Sequence, residues 1–164
     1  EKFINRGRRC PVCRGSKGEY KVAKLLTDLN IKFSQQEYVY AKDGSWVISD
    51  FLIYDTSNNV IFAIEYDGLQ HFEPVTFFDG EDGLKVTQER DERKNSIFKD
   101  NGIPLLRIPY WEFDNINAVI VNFLKDHNYL DVLNKSWSDE LSLLLKVSGL
   151  PNTPVNIQKE INYV

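Results

Sequence analysis

The sequence predicts an α/β fold with elements in the order α-β-β-β-α-β-α around a small mixed sheet. Three observations predict it. The stretches 16–30 (SKGEYKVAKLLTDLN) and 111–128 (WEFDNINAVIVNFLKDHN) carry apolar residues at helical spacing. Between them, WVISDFLIYD (46–55) and NVIFAIEYD (59–67) are strand-like runs joined by the turn sequence TSNN. A charged helical stretch then leads into the short apolar run IPLLRIPY.

Each element has a local reason. Ser16 followed by Glu19 fits a capping box, so the first helix starts there. Val22, Ala23, Leu25, Leu26 and Leu29 form its apolar stripe, and Asn30 closes it. IKFSQQEYVY, with Ile31, Phe33, Tyr38 and Tyr40, reads as an edge strand. The hairpin 46–67 follows, turning at Ser57–Asn58. Residues 72–86 contain a Pro and two Gly and read as a loop, so the next helix is expected over 87–101, stopping at Gly102. Ile116, Val119, Ile120, Phe123 and Leu124 mark the inner face of the last core helix. The domain is therefore expected over 16–128, preceded by a basic stretch at 1–15. A C-terminal helix and tail follow at 129–164, and there is no internal repeat.

Composition narrows the class. The chain has 164 residues, 42% hydrophobic, with eight Tyr, ten Phe and three Trp to build a core. No apolar run is long enough for a membrane span and no signal-peptide pattern opens the chain, which predicts an intracellular protein. Cys10 and Cys13 are the only cysteines, which argues against a disulfide framework. The chain lacks Met and begins at Glu1, so a piece of a longer protein is expected. Net charge is −4, yet residues 1–24 carry eight Lys or Arg against two acids, while nine acids fall between Glu65 and Glu92. The basic end suits phosphate contacts, and the acidic cluster would repel phosphate unless a cation sits in it.

One constellation carries chemistry. Asp50 stands inside a hydrophobic strand, which is costly unless it is paired, protonated or metal-bound. Glu65 and Asp67, two apart, share a face of the next strand. Pairing through the turn at Ser57–Asn58 sets Asp50 opposite about Glu65, so three carboxylates converge. Hard oxygens of this kind suit Mg²⁺ or Mn²⁺. Salt bridges, for instance to Arg107, are the plainer alternative for any one acid. Gly68 permits a sharp turn, and Gln70 and His71 follow at once. His71 suits a general acid or base, and Asp91 suits its orientation. Arg90 accompanies Asp91, whereas Glu89, Glu92, Arg93 and Lys94 read as a solvated helical face. Glu19 reads equally as a capping acid alone or as a fourth site carboxylate, and His127 as a packing residue.

Asp50 in SDF, Glu65-x-Asp67-Gly68-x-Gln70-His71, Asp91 in TQERDERKN, and NGIPLLRIPY resemble the very-short-patch-repair-like branch of the PD-(D/E)XK nuclease superfamily. Within it they are most similar to the phage homing endonucleases named for an E-D-x-H-D pattern, here Glu19, Asp50, His71 and Asp91. The resemblance covers about residues 10–112. It implies a restriction-endonuclease-like core and a metal-dependent DNA endonuclease acting on double-stranded DNA, with a homodimer as one possible state. Glu19, Asp50, Asp67, Gln70, His71 and Asp91 would be catalytic, with Asp50 and Glu65 or Asp67 holding the metal. In the basic arm, Arg8, Arg9, Arg14, Lys17 and Lys21 would touch DNA. The resemblance further implies that Cys10 and Cys13 are half of a four-cysteine Zn²⁺ knuckle, which these two thiols cannot close by themselves. One departure stands out: the superfamily's Glu-x-Lys has Asp67 in the lysine position, and no nearby basic residue substitutes, which leaves acid–base work to His71. A DNA-binding module without catalysis and a two-carboxylate glycosidase are the competing readings; the latter would ignore EDTA.

Overall fold

The computed structural model describes residues 16–76 and 80–129. Their elements are α1 (Lys17–Asp28), β1 (Phe33–Tyr40), β2 (Trp46–Tyr54), β3 (Val60–Asp67), α2 (Gly80–Asp100), β4 (Leu105–Pro109) and α3 (Ile116–Asp126). Single 3-10 segments occupy Leu69–His71 and Tyr110–Asn115. The expected α/β order holds, with four strands in the order β1-β2-β3-β4. The first three run antiparallel, and β4 returns parallel to β3. A parallel return needs a long crossover, and α2 is that crossover.

Local chemistry explains where the elements begin and end. Ser16 accepts from the Glu19 N–H while Glu19 accepts from the Ser16 N–H, a complete capping box that starts α1. At the other end Asn30 takes φ 50°. Its N–H reaches the Thr27 carbonyl at 2.9 Å and the Ile31 N–H reaches Leu26 at 2.8 Å. That is a Schellman closure, with Asn in the place usually held by Gly.

Both faces of the sheet are covered. Val22, Leu25 and Leu26 of α1 and Ile116, Ile120 and Leu124 of α3 pack against Phe51, Ile53, Phe62, Ile64, Leu106 and Ile108. On the opposite face, Ile97 and Phe98 of α2 pack against Leu52, Ala63 and Leu105. Period-2 alternation continues that second face through Asp50, Glu65, Asp67 and Arg107. The C-terminal part of α2 thus caps an apolar patch, and the turns before it pass over a charged one.

Two expectations change. The helix expected from residue 87 begins at Gly80, so part of the stretch 72–86 is helical. The two glycines suggested a break, but Glu81 and Asp82 stand in the first turn, where carboxylates complement the exposed N–H groups. Residues 110–115 form a 3-10 segment, so α3 proper starts at Ile116. The predicted C-terminal helix and tail, apart from Tyr129, lie outside the described residues. Among the described residues no helix is long and apolar enough to cross a membrane.

The sheet carries one irregularity next to the charged patch. Val47 and Phe51 are an even number of residues apart, yet they belong to opposite cores. The change of facing falls near Asp50, which lies across from Gln36, between the pairs Gln35–Phe51 and Glu37–Ser49. Gln36 has φ 55°, a conformation that costs energy for a residue other than glycine.

α1 lies so close to β3 that a Cβ at Gly18 would sit 2.1 Å from the Tyr66 ring. Gly18→Ala is expected to destabilise the fold by about 1–3 kcal/mol through overpacking, read as a lower midpoint in urea unfolding. An unchanged midpoint would show that the ring moves aside freely.

Candidate active site

The ladder between β2 and β3 ends at the pair Phe51–Ile64, and the next two residues are Asp50 and Glu65. Here side chains replace the ladder. The Asp50 N–H donates to Glu65 Oε1 at 3.0 Å, and the Tyr66 N–H donates to Asp50 Oδ2 at 3.0 Å. The convergence expected from the hairpin register is therefore present. Glu65 is 3% exposed, and Lys94 Nζ, arriving from α2, contacts its Oε2. The Gln36 amide donates to the remaining Asp50 oxygen at 3.3 Å.

A second group lies beside the first. Arg107 donates to Asp67 through Nε (2.7 Å) and Nη2 (2.5 Å), and its Nη2 also meets Asp91 Oδ1 at 2.8 Å. Nη1 reaches Asn95 at 3.0 Å. Asp91 Oδ2 sits 2.7 Å from His71 Nδ1, the orienting contact that the sequence suggested. His71 itself rides on the 3-10 turn that follows β3.

Both groups open onto one cavity of about 670 Å³. Glu19, Asp50, Glu65, Asp67, Gln70, His71 and Asp91 all line it, so all seven expected core-site residues are brought together. Glu19 serves both of its readings, since it closes the capping box and faces the cavity. Lys17 is exposed and does not line the cavity. Lys21 is committed elsewhere: its amine donates to the Phe113 carbonyl at 2.6 Å and stands 4.7 Å over that ring, bracing α1 against the 110–115 segment. Arg8, Arg9, Arg14, Cys10 and Cys13 lie outside the described residues.

Two further expectations are corrected. Lys94 and Arg93 line the cavity and do not form a merely solvated face, so a basic residue does stand beside Glu65. The sequence signal for Lys94 was available: Thr87, Asp91, Lys94, Asn95 and Phe98 follow helical spacing and turn toward the sheet together. Gly68 has φ −71° and ψ 174°, which any residue adopts; an added Cβ there would crowd the Gln70 amide at 2.5 Å. Asp67 does not stand as a bare carboxylate: both of its oxygens accept from Arg107. Asp67, His71 and Asp91 do place ligand atoms within 4.8 Å of one another, but the guanidinium already supplies the positive charge there. Arg107 was visible in sequence as a salt-bridge partner, and Gln36 carried no signal at all.

The electrostatics divide the site in the same way. Burial, with Asp50 adding to it, pushes Glu65 from 4.5 up to about 8 against the opposing pull of Lys94. Burial also raises Glu19, against the Ser16 N–H, and Asp50 again adds. Burial acts to raise Asp91 as well, but hydrogen bonds from His71 and Arg107 outweigh it and hold the carboxyl low. Arg107, for all its burial, is held charged by Asp67 and Asp91. Glu19, Asp50 and Glu65 thus form a half that is short of positive charge, and Asp67, Arg107, Asp91 and His71 form a half that is internally paired. The fold and site define an α/β domain with a carboxylate-rich cavity and a histidine oriented by a carboxylate.

The chain belongs to the family described as protein of unknown function, DUF2726, whose model matches residues 34–126. The match takes in Asp50, Glu65, His71, Asp91, Lys94 and Arg107 and leaves Glu19 outside. The chain is also similar to "Uncharacterized protein 307L" of Invertebrate iridescent virus 6, at 34% identity over 72 residues. That alignment takes 43% of this chain and 36% of the viral protein. No solved structure matches the chain.

Two outcomes follow from the pairing. Arg107→Ala strands Asp67 and Asp91 and is expected to cost about 3–5 kcal/mol in denaturant unfolding. A loss under about 1 kcal/mol would mean that water takes over the guanidinium's role. The folded pKa of Glu65 lies above its ordinary value, so the stability it contributes is complete below pH 4.5 and is lost as pH rises through about 8. Metal-free protein is therefore expected to lose stability over that interval, and Glu65→Gln to flatten the loss. An identical pH profile in the variant would show that Lys94 keeps Glu65 ionised throughout.

Proposed function

We propose that the chain is a divalent-cation-dependent DNA endonuclease that hydrolyses phosphodiester bonds. We further propose the restriction-endonuclease-like arrangement and the phage-type homing kinship that its motifs resemble. The observation that supports this most is the Asp50–Glu65 crossing, with Lys94 against Glu65, in the same cavity as His71 held by Asp91. The Lys94 amine answers the departure noted in the sequence, since it comes to Glu65 from α2 while Asp67 stands at the strand position.

Carboxylate oxygens such as those of Asp50 and Glu65 suit Mg²⁺ or Mn²⁺ by their hardness. Asp50, Glu65 and Glu19 are hard oxygen donors with more negative charge than Lys94 offsets; burial raises Glu65 and Glu19, and Asp50 adds to it. A cation held there supplies Lewis-acid polarisation of the phosphate and offsets charge building on its oxygens.

The protein's own groups handle the protons. A water oxygen bonds to phosphorus while the bond from phosphorus to the leaving sugar oxygen breaks; one proton leaves the water and one reaches the leaving oxygen. Asp91, held ionised, has only lone pairs to offer, so His71 Nδ1 carries the hydrogen between them. That leaves Nε2 as the working nitrogen, accepting a proton when neutral and delivering one when charged. Lys94, beside Glu65, orients the attacking water or carries its proton. The Gln70 amide has the donors to hold a phosphate oxygen. Asp67 and Arg107 act through Asp91 by fixing where it stands.

Supercoiled plasmid incubated with Mg²⁺, Mn²⁺ or EDTA tests the proposal. Nicking or linearisation is expected with either metal and not with EDTA. Asp50→Ala and His71→Ala are expected to lower the rate about 10²–10⁴-fold while keeping the far-UV circular dichroism of the parent. Full activity in Asp50→Ala would overturn the assignment. DNA binding without cleavage under any divalent ion would favour the non-catalytic module.

A further inference from the structure

The cavity has a wall that the hydrolysis chemistry does not use. Arg90 and Arg93, one helical turn apart on α2, both line it and are both exposed. Among the described residues neither makes an ion pair, in contrast to Lys94 and Arg107. Trp46, at the start of β2, lines the same cavity while 49% exposed. Its ring meets Tyr38 edge-on at 5.0 Å, and Tyr38 stacks with Tyr40 at 6.3 Å. These three aromatics are each about half open to solvent, so they are poor core residues and form an ordered surface. The β1–β2 hairpin carrying them is tied to α2, because Asn101 donates to the Tyr40 carbonyl at 3.0 Å. Arg93 also lies near enough to help hold the Asp43 carboxyl of the hairpin turn low, behind the larger effect of Ser45.

Free guanidinium groups beside a flat aromatic are the ingredients of a strand-binding groove: cations follow the backbone, and a ring stacks on a base. A paired base inside a duplex presents no face to such a ring. We infer that the cavity continues into a subsite for a DNA strand with an unpaired base, where Arg90 and Arg93 hold a phosphate next to the one cleaved and Trp46, braced by Tyr38, stacks on that base. The inference rests on the nuclease reading for the identity of the strand, and it adds a preference for DNA with a single-stranded stretch next to the cut over uninterrupted duplex.

Fluorescence anisotropy in Ca²⁺ with labelled DNA of about 12 nucleotides tests it, with three probes: a single strand, a blunt duplex, and a duplex with a single-stranded extension. The single strand and the extended duplex are expected to bind at least about tenfold more tightly than the blunt duplex. Trp46→Ala is expected to weaken binding about tenfold or more on those two probes and little on the blunt duplex, and Trp46→Phe to retain most of the affinity. Arg90→Ala with Arg93→Ala is expected to weaken all three and to lower the salt slope by roughly 0.7 for each strand phosphate left without its cation. Equal affinity for the three probes, or full binding by Trp46→Ala, overturns the subsite. Metal-dependent plasmid cleavage with Trp46-independent binding would leave the nuclease standing and remove the subsite. Trp46-dependent strand binding without any cleavage would do the reverse.

Discussion

The site depends on one exchange at the end of the β2–β3 ladder. Past Phe51 and Ile64, the Asp50 N–H bonds to the Glu65 carboxylate and the Tyr66 N–H to the Asp50 carboxylate. Buried backbone donors have to be satisfied, and here side chains satisfy them. The exchange holds two carboxylates against each other where hydrophobic neighbours would have been less costly. Everything around it offsets that cost: Lys94 reaches in from α2, Gln36 accepts a left-handed backbone to face Asp50, and Glu65 moves toward its protonated form. An arrangement that local rules disfavour, held in place by its surroundings, is the usual mark of a functional site.

Arg107 is the counterweight. It stands on β4 beside Glu65 in the parallel register, yet it turns to Asp67 and Asp91. Its two-pronged contact offsets Asp67, and its contact with Asp91 joins the His71 hydrogen bond in holding that carboxyl low. Positive charge is thereby concentrated in one half of the cavity and scarce in the other. The same fold supplies a rigid histidine and an incompletely neutralised carboxylate set a few residues apart.

α2 links the two halves and serves three purposes along its length. Ile97 and Phe98 anchor it on the apolar part of the sheet. One turn back, Asp91, Lys94 and Asn95 engage the charged part. Arg90 and Arg93 remain on the rim. A helix that mixes these duties has a weak overall amphipathic pattern, which is why its charges resembled a solvated face.

Local rules were enough for much of this. The capping box at Ser16 and Glu19, the turn at Ser57–Asn58, and period-2 alternation along the hairpin placed α1, set Asp50 beside Glu65 and put Asp67 on the same face. The pairing of His71 with Asp91 was also legible, since both residue types and their order are distinctive. Three other features depend on contacts between residues distant in sequence. Which side of α2 meets the sheet decided that Lys94 serves Glu65, and the parallel return of β4 decided that Arg107 pairs with Asp67. The reversal of facing near Asp50 decided the strained backbone of Gln36. The chain alone could announce a cluster of acids around a histidine; only the packed layers, in which each charge must find its partner out of water, could divide that cluster into a paired half and a half still short of positive charge.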